Sequence, residues 1–251
     1  MAANPVTGRI YVTDRQAIDV FTTDSSAVRA PIRLLQQPTA IAVDPATDRL
    51  HVATHAGGGH GDALVVLDGD RDTILATIPI GVGPLQLTVD RVADRVYAVD
   101  AASGQVAVLD GATNVVVARL PVGPGSHELA VDAGTGRIYI SNGDGGSVSV
   151  LDGASDQLLA TVAVGGHPGA LAVNERMHRL YVASDAGAVM VLDGVTDRVR
   201  ATVAMGQRPG ALAVDPATNR VYVADTLDNS VWLLQDRRWG SPTARLIAHV
   251  A

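Results

Sequence analysis

Short apolar runs alternate with polar punctuation along the whole chain. In one stretch, 169–173 (GALAV), 180–183 (LYVA) and 188–192 (AVMVL) are apolar, and 198–204 (RVRATVA) alternates. Between them lie 174–179 (NERMHR), 184–187 (SDAG) and 193–197 (DGVTD). Runs this short, bounded by Gly, Asp and Asn, predict four antiparallel strands, here called A to D in chain order. No segment has the 3.6-residue period of an amphipathic helix. The turns carry their own chemistry. Asp44-Pro45-Ala46-Thr47-Asp48 and Asp215-Pro216-Ala217-Thr218-Asn219 open on an Asp with Pro next, where φ is pre-set. Asn4-Pro5-Val6-Thr7-Gly8 is the same turn near the start of the chain. The C–D turn reads Leu-Asp-Gly at 67–69, 109–111, 151–153 and 192–194, where Gly permits a tight reversal.

This unit recurs. Arg-x-Tyr appears at Tyr11, Tyr97, Tyr139, Tyr181 and Tyr222, and Arg49-Leu50-His51 is a copy with His for Tyr. The six positions are 40, 46, 42, 42 and 41 residues apart. A period in this range with four strands per copy predicts propeller blades rather than a solenoid, because one such sheet cannot bury both faces alone. The expectation is an all-β fold: a single six-bladed β-propeller domain over residues 1–251. Its blades are expected near 1–36, 37–81, 82–123, 124–165, 166–206 and 207–251. The first blade is expected to lack most of its inner strand, since only residues 1–3 precede its A–B turn, leaving 23 full strands.

Length variation points to a functional side. From the marker Tyr or His to the last apolar residue of strand C, the copies span 10, 16, 12, 12, 11 and 12 residues. From that residue to the next marker the span is 30 every time. All variation therefore falls in the B–C segment. Strands alternate in direction, so B–C loops and D–A connections share one side and A–B and C–D turns the other. A site belongs where the copies stop being copies.

On that side the copies read Gln37-Pro38, Pro84-Leu85-Gln86, Ser126-His127-Glu128, His167-Pro168 and Arg208-Pro209. His127-Glu128 replaces the small pairs Gly169-Ala170 and Gly210-Ala211. An imidazole beside a carboxylate suits general acid–base work, and His167 joins them as a third candidate. Gln37, Gln86 and Arg208 are candidate ligand contacts at the same mouth. The longest B–C loop, residues 54–62 (THAGGGHGD), sets His55 and His60 around three glycines, as a mobile lid or as two ligands of a divalent metal completed by His127 or His167. Asp100 and Asp225, with Asp14, Asn142, Asp144, Asp185 and Asp228, form an acidic rim, whose alternative role is capping of their own turns. His51 reads as a packing variant. His178 and His249 receive no role, and Trp239 reads as an exposed partner contact or a plug.

Composition narrows the chemistry. All 19 basic residues are Arg, so neither a Schiff-base lysine nor a phosphate-loop lysine exists. The absence of Cys removes thiol catalysis, thiolate metal sites and disulfides. A net charge of −7 argues against binding duplex nucleic acid. No apolar run is long enough to span a bilayer, and residues 1–9 carry no export pattern, so a cytosolic monomer is expected, or an exported one if a leader has been removed. No cofactor is required by any motif.

The strand-B endings Tyr11-Val12-Thr13-Asp14, Tyr97-Ala98-Val99-Asp100, Tyr139-Ile140-Ser141-Asn142 and Tyr222-Val223-Ala224-Asp225 resemble the YVTN-repeat β-propeller family, as do the Asp-Pro-x-Thr-Asn-Arg turn and Leu-Asp-Gly. The resemblance covers almost the whole chain and implies a binding propeller. It is similar in architecture, more distantly, to virginiamycin B lyase-type propellers. The function expected is binding of a small molecule or peptide at the mouth formed by D–A and B–C loops. The alternatives are a lyase, isomerase or cyclase using His127 and Glu128 as acid and base, and a protein-interaction scaffold.

Overall fold

The computed structural model describes residues 1–23, 25–57, 62–81, 84–237 and 240–249. His60 and Trp239 lie outside the described residues. Strands form six antiparallel sheets in chain order, and in the last five each is a meander whose neighbours are consecutive strands. The fold is an all-β, six-bladed propeller. The fifth blade is typical: Pro168–Asn174, Arg179–Ser184, Ala188–Asp193 and Arg198–Ala204 are its strands A to D. Among the described residues there is no helix long and apolar enough to cross a membrane.

The chain divides into two compact units, Met1–Pro121 and Val122–Ala251, each with three blades. Within a unit, alternation along strands B and C sends successive side chains to opposite faces of a blade. In the second blade Val52, Val65 and Leu67 pack toward the first blade, while Ala53, Leu64 and Val66 pack toward the third. In the fifth, Leu180, Val182, Met190 and Leu192 share a core with Tyr139, and Tyr181, Val189 and Val191 share one with Val221 and Leu234. Burial on both faces explains why B and C read as continuous apolar runs. Each large side chain so buried contributes roughly 1.5–3 kcal/mol.

The Arg-x-Tyr marker joins one blade to the next. Arg49 Nη1 donates to Gly111 O (2.6 Å), and Arg9 Nη1 donates likewise to Gly69 O. Tyr181 OH donates to Asp236 Oδ2 (2.8 Å) in the following blade. Other marker arginines hold their own C–D turn: Arg95 reaches Asp110 Oδ2 at 2.9 Å and Arg137 reaches Asp152 Oδ2 at 3.2 Å. A second device clamps the two turns of one side together. The N–H of the C–D turn donates to the carbonyl of the last A–B turn residue, as in Gly69 to Asp48 (2.8 Å), Gly153 to Gly136 (2.8 Å) and Gly194 to His178 (2.8 Å). That carbonyl is aimed by a left-handed backbone, φ 52° at Asp48 and 50° at His178. Asp48 tolerates it because short polar side chains bond locally there. Gly is needed opposite, since a Cβ on Gly69 would sit 2.6 Å from Asp48 O.

Two departures from the expected regularity follow from proline and from bulges. The inner strand of the first blade is short, as expected, at Ala2–Asn4, but its outer strand is broken. Ser25–Val28 and Ile32–Arg33 both pair with Ala17–Thr22, giving 25 strands among the described residues, against the expected 23 full strands and one stub. Pro31 lies at the gap and has no N–H for the ladder. In every later blade strand A carries a register shift near its start, at Pro38/Ala40, Pro84/Gln86, Ser126/Glu128, Pro168/Leu171 and Pro209/Ala211.

Candidate functional site: the bulged inner strands

A β-bulge leaves a residue out of the ladder and re-aims its side chain. The residues left out are Thr39, Leu85, His127, Gly169 with Ala170, and Gly210. His127 is therefore presented by the backbone at the B–C/D–A side of its blade. Its Nδ1 lies 2.7 Å from Gly125 O. Nδ1–H donation to that carbonyl leaves Nε2 with its lone pair. Nε2 lies over the next blade's bulge, 3.9 Å from where a Cβ on Gly169 would stand.

His167, in the connection leading to that same blade, lies beside it. The two imidazole centroids are 6.0 Å apart at an interplanar angle of 35°. His167 Nε2 is 3.3 Å from Asp144 Oδ1, and its backbone N–H donates to Asp185 Oδ1 at 3.0 Å. The approach depends on Gly143, where a Cβ would be 2.3 Å from the His167 ring. Glu128, half-buried, pairs with Ser141 across the ladder. The second unit thus brings His127, His167, Asp144 and Asp185 together. Arg208 is exposed one connection further on.

The acidic rim has another task. Asp225 is buried and accepts the N–H groups of Gln207, Arg208, Leu227 and Asp228. Burial opposes ionisation, yet these four donors hold its carboxyl below the ordinary carboxylate value. Asp100 is buried too, and its Oδ1 accepts from Ala102 and Ser103 at 3.1 Å each. Both carboxylates cap turns.

In the first unit, Gln37 and His55 are ladder partners. His55 Nδ1 lies 2.9 Å from Asp62 Oδ2, and Asp62 Oδ1 accepts Ala56 N–H at 2.8 Å, so buried Asp62 closes the base of the long loop. Gln37 lines a hollow of about 530 Å³ with Arg15 and Arg33. Gln86 Oε1 accepts from Leu87 N–H at 3.2 Å. Among the described residues no three His, Asp or Glu side chains are grouped to hold a metal ion.

One hollow escaped the sequence reading. It lies on the A–B/C–D side of the second unit, measures about 520 Å³, and is lined by Arg176, His178, Arg179 and Arg200. Its signal was in the chain: NERMHR departs from the other A–B turns, and Arg200 stands where Leu75 and Leu159 stand in other outer strands.

No protein-family model matches the sequence, and no curated protein matches it. Solved structures share the fold. Kuenenia stuttgartiensis hydrazine synthase is 18% identical, with a TM-score of 0.74 over 94% of this chain and 82% of that one. A functionally unknown protein from Desulfotomaculum acetoxidans is 15% identical, with a TM-score of 0.75 over 91% and 79%. A chain of the mitotic checkpoint complex is 16% identical, with a TM-score of 0.83 over 97% and 74%. At these identities the likeness concerns the fold.

Proposed function

We propose that this chain is a YVTN-type binding propeller that holds a small molecule or peptide on the B–C/D–A side of its second unit, with His127 and His167 as the principal polar contacts. The observation that carries the reading is the histidine pair, 6.0 Å apart and each held at one nitrogen, with His127 standing on a bulge where the next two blades have glycine. Anchored polar groups beside cleared backbone are the usual furniture of a ligand site. Asp100 and Asp225 are left out of the ligand set, because their oxygens are occupied by backbone N–H groups.

The test is native mass spectrometry of the protein purified from its own host, compared with His127→Ala/His167→Ala made in the same host. The expected result is a bound mass on the wild type that is lost from the folded double variant. Equal occupancy of both proteins refutes the proposal.

One observation favours a second reading, acid–base catalysis. With Nδ1–H donated to Gly125 O, His127 Nε2 is the tautomer a general base requires. Incubation of the released ligand with fresh protein separates the two: a change in the ligand's mass or isomeric form that His127→Ala abolishes indicates catalysis, and an unchanged ligand indicates binding alone.

A further inference from the structure

The A–B/C–D side is where the copies agree most, which makes each blade a control for the others. At the position of Arg176 the other blades carry Val6, Ala46, Val92, Gly134 and Ala217. At the position of His178 they carry Gly8, Asp48, Asp94, Gly136 and Asn219. In the outer strand, Arg200 takes the place of Leu75 and Leu159. These changes lie in two separate parts of the repeat, more than twenty residues apart. Both bring in cationic or basic side chains, and the fold brings them to one hollow of about 520 Å³.

Within it the charges are unequal. Arg179 is buried and paired with Asp193, so it offers no spare charge. Arg176 and Arg200 are exposed. Each is held by a carbonyl of the sixth blade, Arg176 Nη1 to Pro216 O at 3.4 Å and Arg200 Nη2 to Gly240 O at 3.0 Å. A carbonyl orients a guanidinium without neutralising it and occupies one of five N–H donors. His178 is fixed through Nδ1 to buried Asp132, at 3.1 Å from Oδ2, which leaves Nε2 as the nitrogen available to a ligand. On a chain of net charge −7, two guanidinium groups oriented by carbonyls, with no carboxylate ion pair among the described residues, at a hollow of small-molecule size are a selective arrangement.

We infer that this hollow binds a small molecule through an oxyanion group, carboxylate or phosphate, clamped between Arg176 and Arg200 with His178 beside it. The inference stands apart from the histidine site on the opposite side of the blades and survives the failure of that proposal.

The experiment is isothermal titration of the full chain with inorganic phosphate and, separately, with citrate, at constant ionic strength set with sodium chloride. The comparison is Arg176→Ala/Arg200→Leu, which installs the residues that sister blades already carry and so keeps the fold, checked by its melting curve. Wild type is expected to bind at least one anion below about 10 mM, and the double variant at least about tenfold more weakly, since charge-assisted hydrogen bonds are the strong ones. Phosphate alone binding assigns a phosphorylated ligand, and citrate alone a carboxylate. The inference is overturned if neither anion binds the wild type below about 10 mM, or if the folded double variant binds as well as wild type.

Discussion

The two sides of the blades are built on different terms. On the A–B/C–D side the turns are closed by main-chain bonds repeated from blade to blade, from Gly69 to Asp48 through Gly194 to His178. On the B–C/D–A side main-chain bonds recur in the second unit, from Gly143 to Gly125, Asp185 to His167 and Thr226 to Arg208, but they are joined by side chains that change from blade to blade. Asp225 accepts from Gln207 and Arg208, Asn142 donates to Ser147 and Ser149, and Ser184 accepts from Ala186. On the first side the structural side chains are turn-capping Asp or Asn residues that recur from blade to blade, as at Asp110, Asp152 and Asp193, and the turn tips are released from structural duty. On the second side the committed residues vary, and Asp100, Asn142 and Asp225 are each bound to their own turn or blade. A polar residue on the second side is therefore weak evidence of function by itself. His127 and His167 stand out there because a bulge and a glycine make room for them.

Four tests probe that contrast, the largest effect first. Arg179→Leu removes the partner of Asp193 and a cation 3.8 Å from buried Asp236, so urea unfolding is expected to show a loss of about 3–5 kcal/mol. A loss below about 1 kcal/mol would mean that the marker arginine is not a tie between blades.

The next effect is one of pH. His51 is buried where other blades have Tyr, and among the described residues its Nδ1 has no hydrogen-bond partner. Burial pushes its pKa down to about 4. The unfolded chain takes up the proton first, near pH 6.5, so stability is full above that value and falls as pH drops from 6.5 toward 4, by at most about 3 kcal/mol. His51→Tyr is expected to remove this part of the acid sensitivity, read from melting curves across that range. An unchanged pH profile would place the sensitivity elsewhere.

A matched pair of glycine substitutions then compares the sides directly. Gly194→Ala sets a Cβ 3.0 Å from the clamped carbonyl of His178 and 2.7 Å from Tyr139 Oη, and is expected to cost about 2 kcal/mol because backbone must shift. For Gly143→Ala the three nearest atoms all belong to the half-exposed ring of His167, which can swing away. It is expected to cost under about 1 kcal/mol while weakening whatever the histidine pair binds. Equal costs would erase the distinction between the sides. Smallest of all, His127→Ala is expected to change stability by less than about 0.5 kcal/mol, since its ring is half-buried and anchored by a single carbonyl, and to act on binding instead.

The blades and their turns were legible because each was stated several times over. Arg-x-Tyr, Asp-Pro-x-Thr and Leu-Asp-Gly recur with fixed spacing, and repetition suppresses the ambiguity of any one short strand. What occurs once was harder to read. The broken outer strand of the first blade had its signal in Pro31, but without a second copy a proline there looks like any loop residue. The inner-strand bulge is a property of pairing register, which side-chain identity does not encode. For that reason His127 was visible as an oddity but not as the residue a bulge presents. The hollow at Arg176 and Arg200 needs both ends of a blade at once. Each arginine alone reads as a solvated surface charge, and only the fold makes them neighbours.

The carbonyl clamp between the two turns of a blade has a consequence for how such a chain can change. The His178 carbonyl is gripped as the Asp48 carbonyl is, although one side chain is an imidazole and the other a carboxylate. The grip reads backbone shape and ignores what the turn displays. A blade is in that sense a cassette with a standard fitting: its turn tips can be rewritten one at a time, by drift or by design, while the fitting to the rest of the molecule stays the same.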